Sequence, residues 1–79
     1  MHDQSVIAIA DAANMIVNGY AFTQQADGTI VIVNINHIDY TTIINSKDQI
    51  LESSMPPIEQ TIVLSLWNEN REFMEVANA

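Results

Sequence analysis

Cysteine is absent from this chain of 79 residues, and basic side chains are almost absent. Without cysteine the chain has no disulfide framework and no thiolate nucleophile or metal ligand. Small secreted domains commonly depend on disulfides, so the composition favours a cytoplasmic protein. No apolar run approaches the roughly 18 residues that a membrane-spanning helix needs, and the N-terminus lacks the basic region of a signal peptide. We therefore expect a soluble protein that does not bind membranes.

The basic residues are Lys47 and Arg71, against ten acidic residues, which gives a net charge of −8. An average protein carries about 25% charged residues of both signs, so the number of acids is ordinary and the cations are what is missing. Without a basic patch the chain cannot release counterions from phosphates, which excludes direct binding of nucleic acid. The same charge favours a partner protein with a basic surface.

Glycine is also scarce, since Gly19 and Gly28 are the only two. A phosphate-binding loop of either common type needs more glycines, so nucleotide binding by that route is excluded. A chain this short can barely enclose a catalytic pocket, and no catalytic motif stands out. We predict that the protein is not an enzyme and has no cofactor and no bound metal.

Apolar residues make up 48% of the chain, which favours a folded protein and, at this length, one domain over residues 1–79. Residues 4–18 are predicted to form a helix, because apolar side chains recur there at spacings of three and four. Gly19 then ends this helix as a left-handed residue.

A strand is predicted at 20–25, followed by a three-residue turn, Ala26-Asp27-Gly28, and a returning strand at 29–36. A third strand is predicted at 40–45, and a short fourth strand at 50–53 is possible after a polar turn.

A second helix is predicted over 57–76, because proline is tolerated in the first turn of a helix. Its main apolar stripe is predicted to face the sheet, with Val63 beside it: Ile58, Ile62, Leu66 and Phe73. The expected fold is a two-layer α+β domain in the order α-β-β-β-(β)-α, with an antiparallel meander and both helices on one face.

Three features of this fold are candidate partner-binding sites. The first is an isoleucine face of the sheet, Ile30, Ile32 and Ile43, which is exposed if both helices cover the other face.

The second candidate is an acidic ridge near the end of the chain, Glu69, Glu72 and Glu75, where Arg71 can pair with Glu75. The alternative is a solvated helix face. The third is Trp67, which is either an interface anchor or a residue at the edge of the core.

His37 and Asp39 form the only polar pair that resembles a metal or ligand site. A stable zinc site needs three or four ligands, and the alternative is a polar loop between strands.

These observations predict a small acidic protein-binding module without catalytic activity. Inhibitors encoded by phages or mobile elements, such as anti-CRISPR, immunity or antitoxin-like proteins, are of this type, since their targets bind nucleic acid through basic grooves. A second hypothesis is an assembly subunit that forms a homodimer through Ile30, Ile32 and Ile43. A third is a sensor of a small ligand or metal that uses His37 and Asp39.

Overall fold

Five strands follow one another along the chain and pair as neighbours in one antiparallel sheet. The computed structural model of the protein describes residues 13–73. The strands are β1 (Met15–Val17), β2 (Tyr20–Gln24), β3 (Ile30–Asn34), β4 (Thr41–Ile44) and β5 (Ile50–Ser53). Helix α1 (Pro57–Asn70) follows the sheet and continues into a 3-10 turn, Arg71–Phe73. The antiparallel meander and the second helix are confirmed, and the possible fourth strand forms as β5.

The prediction of a helix over 4–18 is wrong for its last turn, because Met15–Val17 form β1. Asn18 and Gly19 both have positive φ, 52° and 82°, and connect β1 to β2 as a two-residue loop. An Asn-Gly pair with this geometry matches the twist of a hairpin, so Gly19 turns the chain between strands and does not end a helix. Residues 4–12 of the predicted helix lie outside the described residues. Within 13–73 the order is therefore five strands and one helix.

The turn between β2 and β3 is built as the sequence predicts. Gly28 has a φ of +90°, and the carboxylate of Asp27 accepts hydrogen bonds from the backbone N–H of Thr29 at 3.0 Å and from its hydroxyl at 2.7 Å. Short polar side chains that accept from the backbone two residues on are typical of such turns.

The sheet packs one face against α1, and the prediction of an exposed isoleucine face is wrong. Ile30 pairs with Ile44 and Val31 pairs with Ile43, so Ile43 lies on the face opposite to Ile30 and Ile32. Ile30 and Ile32 are buried beside Ile44 in the core. Residues 30–33 are apolar on both faces, and the strand alone does not indicate which face the helix covers.

Helix α1 faces the sheet with Val63 and Trp67, which are both buried. The Trp67 ring stacks on Phe22 with 6.1 Å between the ring centroids. The predicted inward stripe is therefore wrong, although Leu66 is partly buried against the core. Residues 74–76 of the predicted helix lie outside the described residues. No helix within 13–73 is long and apolar enough to cross a bilayer.

Candidate protein-binding surface

Large apolar side chains are exposed on α1 and on the 3-10 turn that follows it. Ile58, Ile62 and Phe73 expose 78%, 46% and 69% of their surface. Ile58 and Ile62 are four residues apart and share one face of the helix, and Phe73 follows in the 3-10 turn. We call these three residues the outer helix stripe. A helix that turns such side chains to water carries an apolar surface available for another molecule.

Polar contacts at the start of α1 fix its rotation. The Glu59 carboxylate accepts a hydrogen bond from the Tyr20 hydroxyl at 3.1 Å and from the Asn34 amide at 3.0 Å. The Gln60 amide donates to the Met55 carbonyl at 2.8 Å. Glu59 contacts the sheet and Gln60 contacts the loop between β5 and α1, and Ile58 and Ile62 lie on the solvent side. Sequence reasoning missed this because it assigned the inward positions to the apolar residues.

Burial raises the pKa of the Tyr20 hydroxyl, and the hydrogen bond to Glu59 and the negative charge of that carboxylate raise it further. The phenol donates in this contact, and removing its proton would place two negative charges side by side. Tyr20 therefore acts as a neutral donor that holds the helix.

Acidic side chains lie along the same side of the helix as the stripe. Glu69 is exposed and follows Ile62 by seven residues, which is two helical turns, and Glu72 is exposed in the 3-10 turn. Glu75, the third acid of the predicted ridge, lies outside the described residues. The stripe is thus an apolar surface with carboxylates near its C-terminal end.

A cleft of about 280 Å³ lies where the end of α1 meets the turns that follow β2 and β4. Its charged side chains are Asp48 and Arg71, which form an ion pair with 2.7 Å between Oδ2 and Nη1. The Trp67 indole N–H donates to the other oxygen of Asp48 at 2.8 Å, and the guanidinium carbon of Arg71 is 5.1 Å from the centroid of the Trp67 ring. We call this the Asp48 cleft. Its polar lining is completed by Gln24, Asn45 and Ser46.

The turn that carries Asp48 is held by Asn45. The Asn45 side-chain oxygen accepts from the backbone N–H of Lys47 at 2.8 Å and of Gln49 at 3.0 Å. Asp48 has a φ of 64°, a left-handed conformation that aspartate tolerates better than most residues. The carboxylate therefore projects from a backbone that is already fixed.

Comparison with known proteins places the chain in a family. Residues 3–74 match a family of unknown function (DUF7723). The chain belongs to this family. A search of curated proteins found no match, and neither did a search of solved structures.

The structure of this DUF7723 protein does not bring the predicted partner-binding residues together. Trp67 lies in the core and also lines the Asp48 cleft, Glu69 and Glu72 are exposed, and Ile43 is partly buried on the outer sheet face. Arg71 pairs across the molecule with Asp48, while its predicted partner, Glu75, lies outside the described residues. Asp48 was missed, although an acidic residue in a polar turn is a recognisable signal. No signal in the sequence indicates the outward direction of Ile58.

His37 and Asp39 lie in the loop between β3 and β4. The imidazole of His37 stacks on the Tyr40 ring, with 4.0 Å between centroids and 3° between planes. Among residues 13–73, no three histidine, cysteine or acidic side chains are grouped so that they could hold a metal ion. The stacking gives His37 a structural role that does not depend on a ligand.

Proposed function

We propose that this protein is a small non-enzymatic module that binds another protein through the outer helix stripe. The observation that supports this most directly is the orientation of α1. Ile58, Ile62 and Phe73 are exposed, while Glu59 is hydrogen-bonded to the sheet. Burying an isoleucine or phenylalanine side chain is worth about 1.5–3 kcal/mol, so a partner that covers the stripe gains much of its binding energy there.

The partner of this module has a basic surface. The protein has a net charge of −8, and Glu69 and Glu72 are exposed beside the stripe. Opposite charges accelerate encounter and orient the partners, while apolar contacts hold the complex together. A protein that binds nucleic acid through a basic groove fits this description. Within the proposed class, the finer proposal is an inhibitor or immunity-type protein that covers such a groove.

The stripe is tested with the double variant Ile58→Ser and Ile62→Ser. The wild-type protein is immobilised, and a partner is isolated from a lysate of the source cells at about 50 mM NaCl. We expect the purified partner to bind the double variant at least about tenfold more weakly than the wild type, because two apolar contacts are lost.

Leu51→Ser is the matched control, since Leu51 is a similarly exposed apolar residue on β5. We expect this variant to keep its affinity, and we expect about 500 mM NaCl to weaken the wild-type complex. The proposal fails if no partner is retained at low salt. It also fails if the double variant binds as tightly as the control.

An assembly subunit is the second candidate, and the outer face of the sheet supports it. Ile16 is half exposed, and Val31, Val33 and Ile43 are only partly buried on that face. A homodimer would use these side chains, since Ile30 and Ile32 are in the core. Sedimentation at several concentrations distinguishes the two, because a stable dimer throughout supports the assembly subunit and a monomer excludes it.

A further inference from the structure

The Asp48 cleft combines the groups that recognise a guanidinium. A carboxylate accepts its N–H donors, and the face of a tryptophan attracts its positive charge. Asp48 supplies the carboxylate and Trp67 the aromatic ring, and the polar residues Gln24, Asn45 and Ser46 line the rest of the cleft. The recognition groups come from three separate parts of the chain that the fold brings together.

The carboxylate is oriented before any ligand arrives. The Trp67 indole N–H holds one oxygen of Asp48, and the Asn45 side chain holds the turn beneath it. The second oxygen of Asp48, Oδ2, contacts the guanidinium of Arg71. A preorganised acceptor of this kind loses little conformational freedom when it binds, which favours affinity.

The charge of the cleft selects a cation over an anion. With Arg71 in place, Asp48 and Arg71 neutralise each other, and without Arg71 the cleft carries the charge of Asp48 alone. The rest of the protein is strongly acidic, so its field adds to this preference. An anionic ligand would have to overcome both.

We infer that the Asp48 cleft is a binding site for an arginine side chain of the partner protein, and that Arg71 occupies it in the free protein. This inference rests on the proposed function, because it identifies one group of the basic partner. Arg71 follows α1 in the 3-10 turn, and its side chain is 43% exposed. Exposed ion pairs are weak, so an arginine of a partner that also binds the outer helix stripe can displace Arg71.

The test uses a small probe, N-acetyl-arginine amide, and needs no partner. Trp67 is the only tryptophan, so its fluorescence and its indole N–H signal in NMR report binding directly. We expect Arg71→Ala to bind the probe at least about tenfold more tightly than the wild type, because the competing side chain is gone. Arg71→Gln should behave in the same way, and it replaces the alanine variant if that variant does not fold.

Adding Asp48→Asn to Arg71→Ala is the control for the carboxylate. Asparagine also tolerates positive φ and its oxygen can still accept from the Trp67 indole, so the charge and the second acceptor oxygen are lost while the turn is kept. We expect this double variant to lose the response to the probe. Equal binding by wild type and Arg71→Ala would overturn the inference, as would retained binding after Asp48→Asn or an equal response to N-acetyl-glutamate amide.

The probe separates this inference from the proposed function. If the stripe variants weaken partner binding and the probe does not bind Arg71→Ala, the function stands and the cleft is only a structural contact. If the probe binds and the stripe variants have no effect on the partner, the cleft stands without the proposed stripe.

Discussion

Single polar side chains hold the turns of this protein. The side-chain oxygen of Asn34 accepts from the backbone N–H groups of Asn36 at 2.9 Å and His37 at 3.1 Å, and Asn45 does the same in the next hairpin. Asparagine is well suited to this role because its short side chain reaches the backbone two residues on. Asn34 and Asn45 therefore fix the turns on either side of β4.

Because of Tyr20, we expect the free energy of unfolding to fall at alkaline pH. Its folded-state pKa is raised above 10.0, so the folded state holds the proton more tightly than the unfolded chain does. The resulting stability is present in full below the unfolded pKa and is lost as the pH rises through the folded pKa. We expect urea unfolding, followed by Trp67 fluorescence, to show a smaller alkaline decline for Tyr20→Phe than for the wild type.

Tyr40→Phe is the control for this prediction, because it removes the other tyrosine hydroxyl and leaves the contact with Glu59 intact. Tyr20→Phe should also cost about 1 kcal/mol at neutral pH, the usual value of a hydrogen bond. An alkaline decline that is the same in wild type and Tyr20→Phe would show that the contact with Glu59 does not control it.

Among the secondary-structure elements, the rotation of α1 about its axis matters most for the proposed partner binding. Val63 and Trp67 are buried against the sheet and Glu59 is hydrogen-bonded to it, whereas Ile58 and Ile62 are exposed. The rotation depends on complementarity with Phe22 and Tyr20, which lie far away in the sequence.

Val63 and Ile62 are adjacent in α1, about 100° apart around the helix axis, and give a direct test of this rotation. Val63 is fully buried, whereas Ile62 is 46% exposed. We expect Val63→Ala to lower the free energy of unfolding by about 2 kcal/mol, and Ile62→Ala to change it by less than about 0.5 kcal/mol. Both changes replace a β-branched residue by alanine, so their effects on helix propensity are similar. Urea unfolding measures both, and the reverse order would mean that α1 faces the sheet with its isoleucines.

At the scale of the whole molecule, the charge acts on stability as well as on partner choice. With a net charge of −8 on a domain this small, the acidic side chains repel one another. Within residues 13–73, the one ion pair that offsets this repulsion is Arg71 with Asp48. Such repulsion is long-range and is weakened by salt.

We therefore expect the free energy of unfolding to rise with salt. Between about 10 mM and about 150 mM NaCl the rise should be of the order of 1 kcal/mol, because the Debye length falls to about 8 Å. The double variant Glu69→Gln and Glu72→Gln should show a smaller rise. KCl in place of NaCl controls for binding of a specific cation. Lower stability at higher salt would contradict the prediction.

Local signals predicted most of the sheet. Two turns are marked by local residues alone: the turn with Asp27 and Gly28, and the polar turn before Ile50. The strands that flank them, β2 to β5, are found in the structure. The same kind of signal is present at Asn18-Gly19, whereas the helical spacing of the preceding apolar residues predicts a helix where Met15–Val17 form β1. The error shows that an Asn-Gly pair beside β-branched residues outweighs a short apolar periodicity.

The amino-acid sequence by itself determined the turns that follow β2 and β4, the antiparallel meander, the start of the helix at Pro57 and the acidic charge, because each depends on residues that are adjacent or on simple composition. Only the tertiary structure decided which sheet face is buried, how α1 is rotated and that Asp48, Trp67 and Arg71 meet. Strand β3 is apolar on both faces and α1 has apolar residues all round, so the periodicity of either element permits more than one orientation. The choice between these orientations depends on packing and hydrogen bonds between residues that are distant in the sequence.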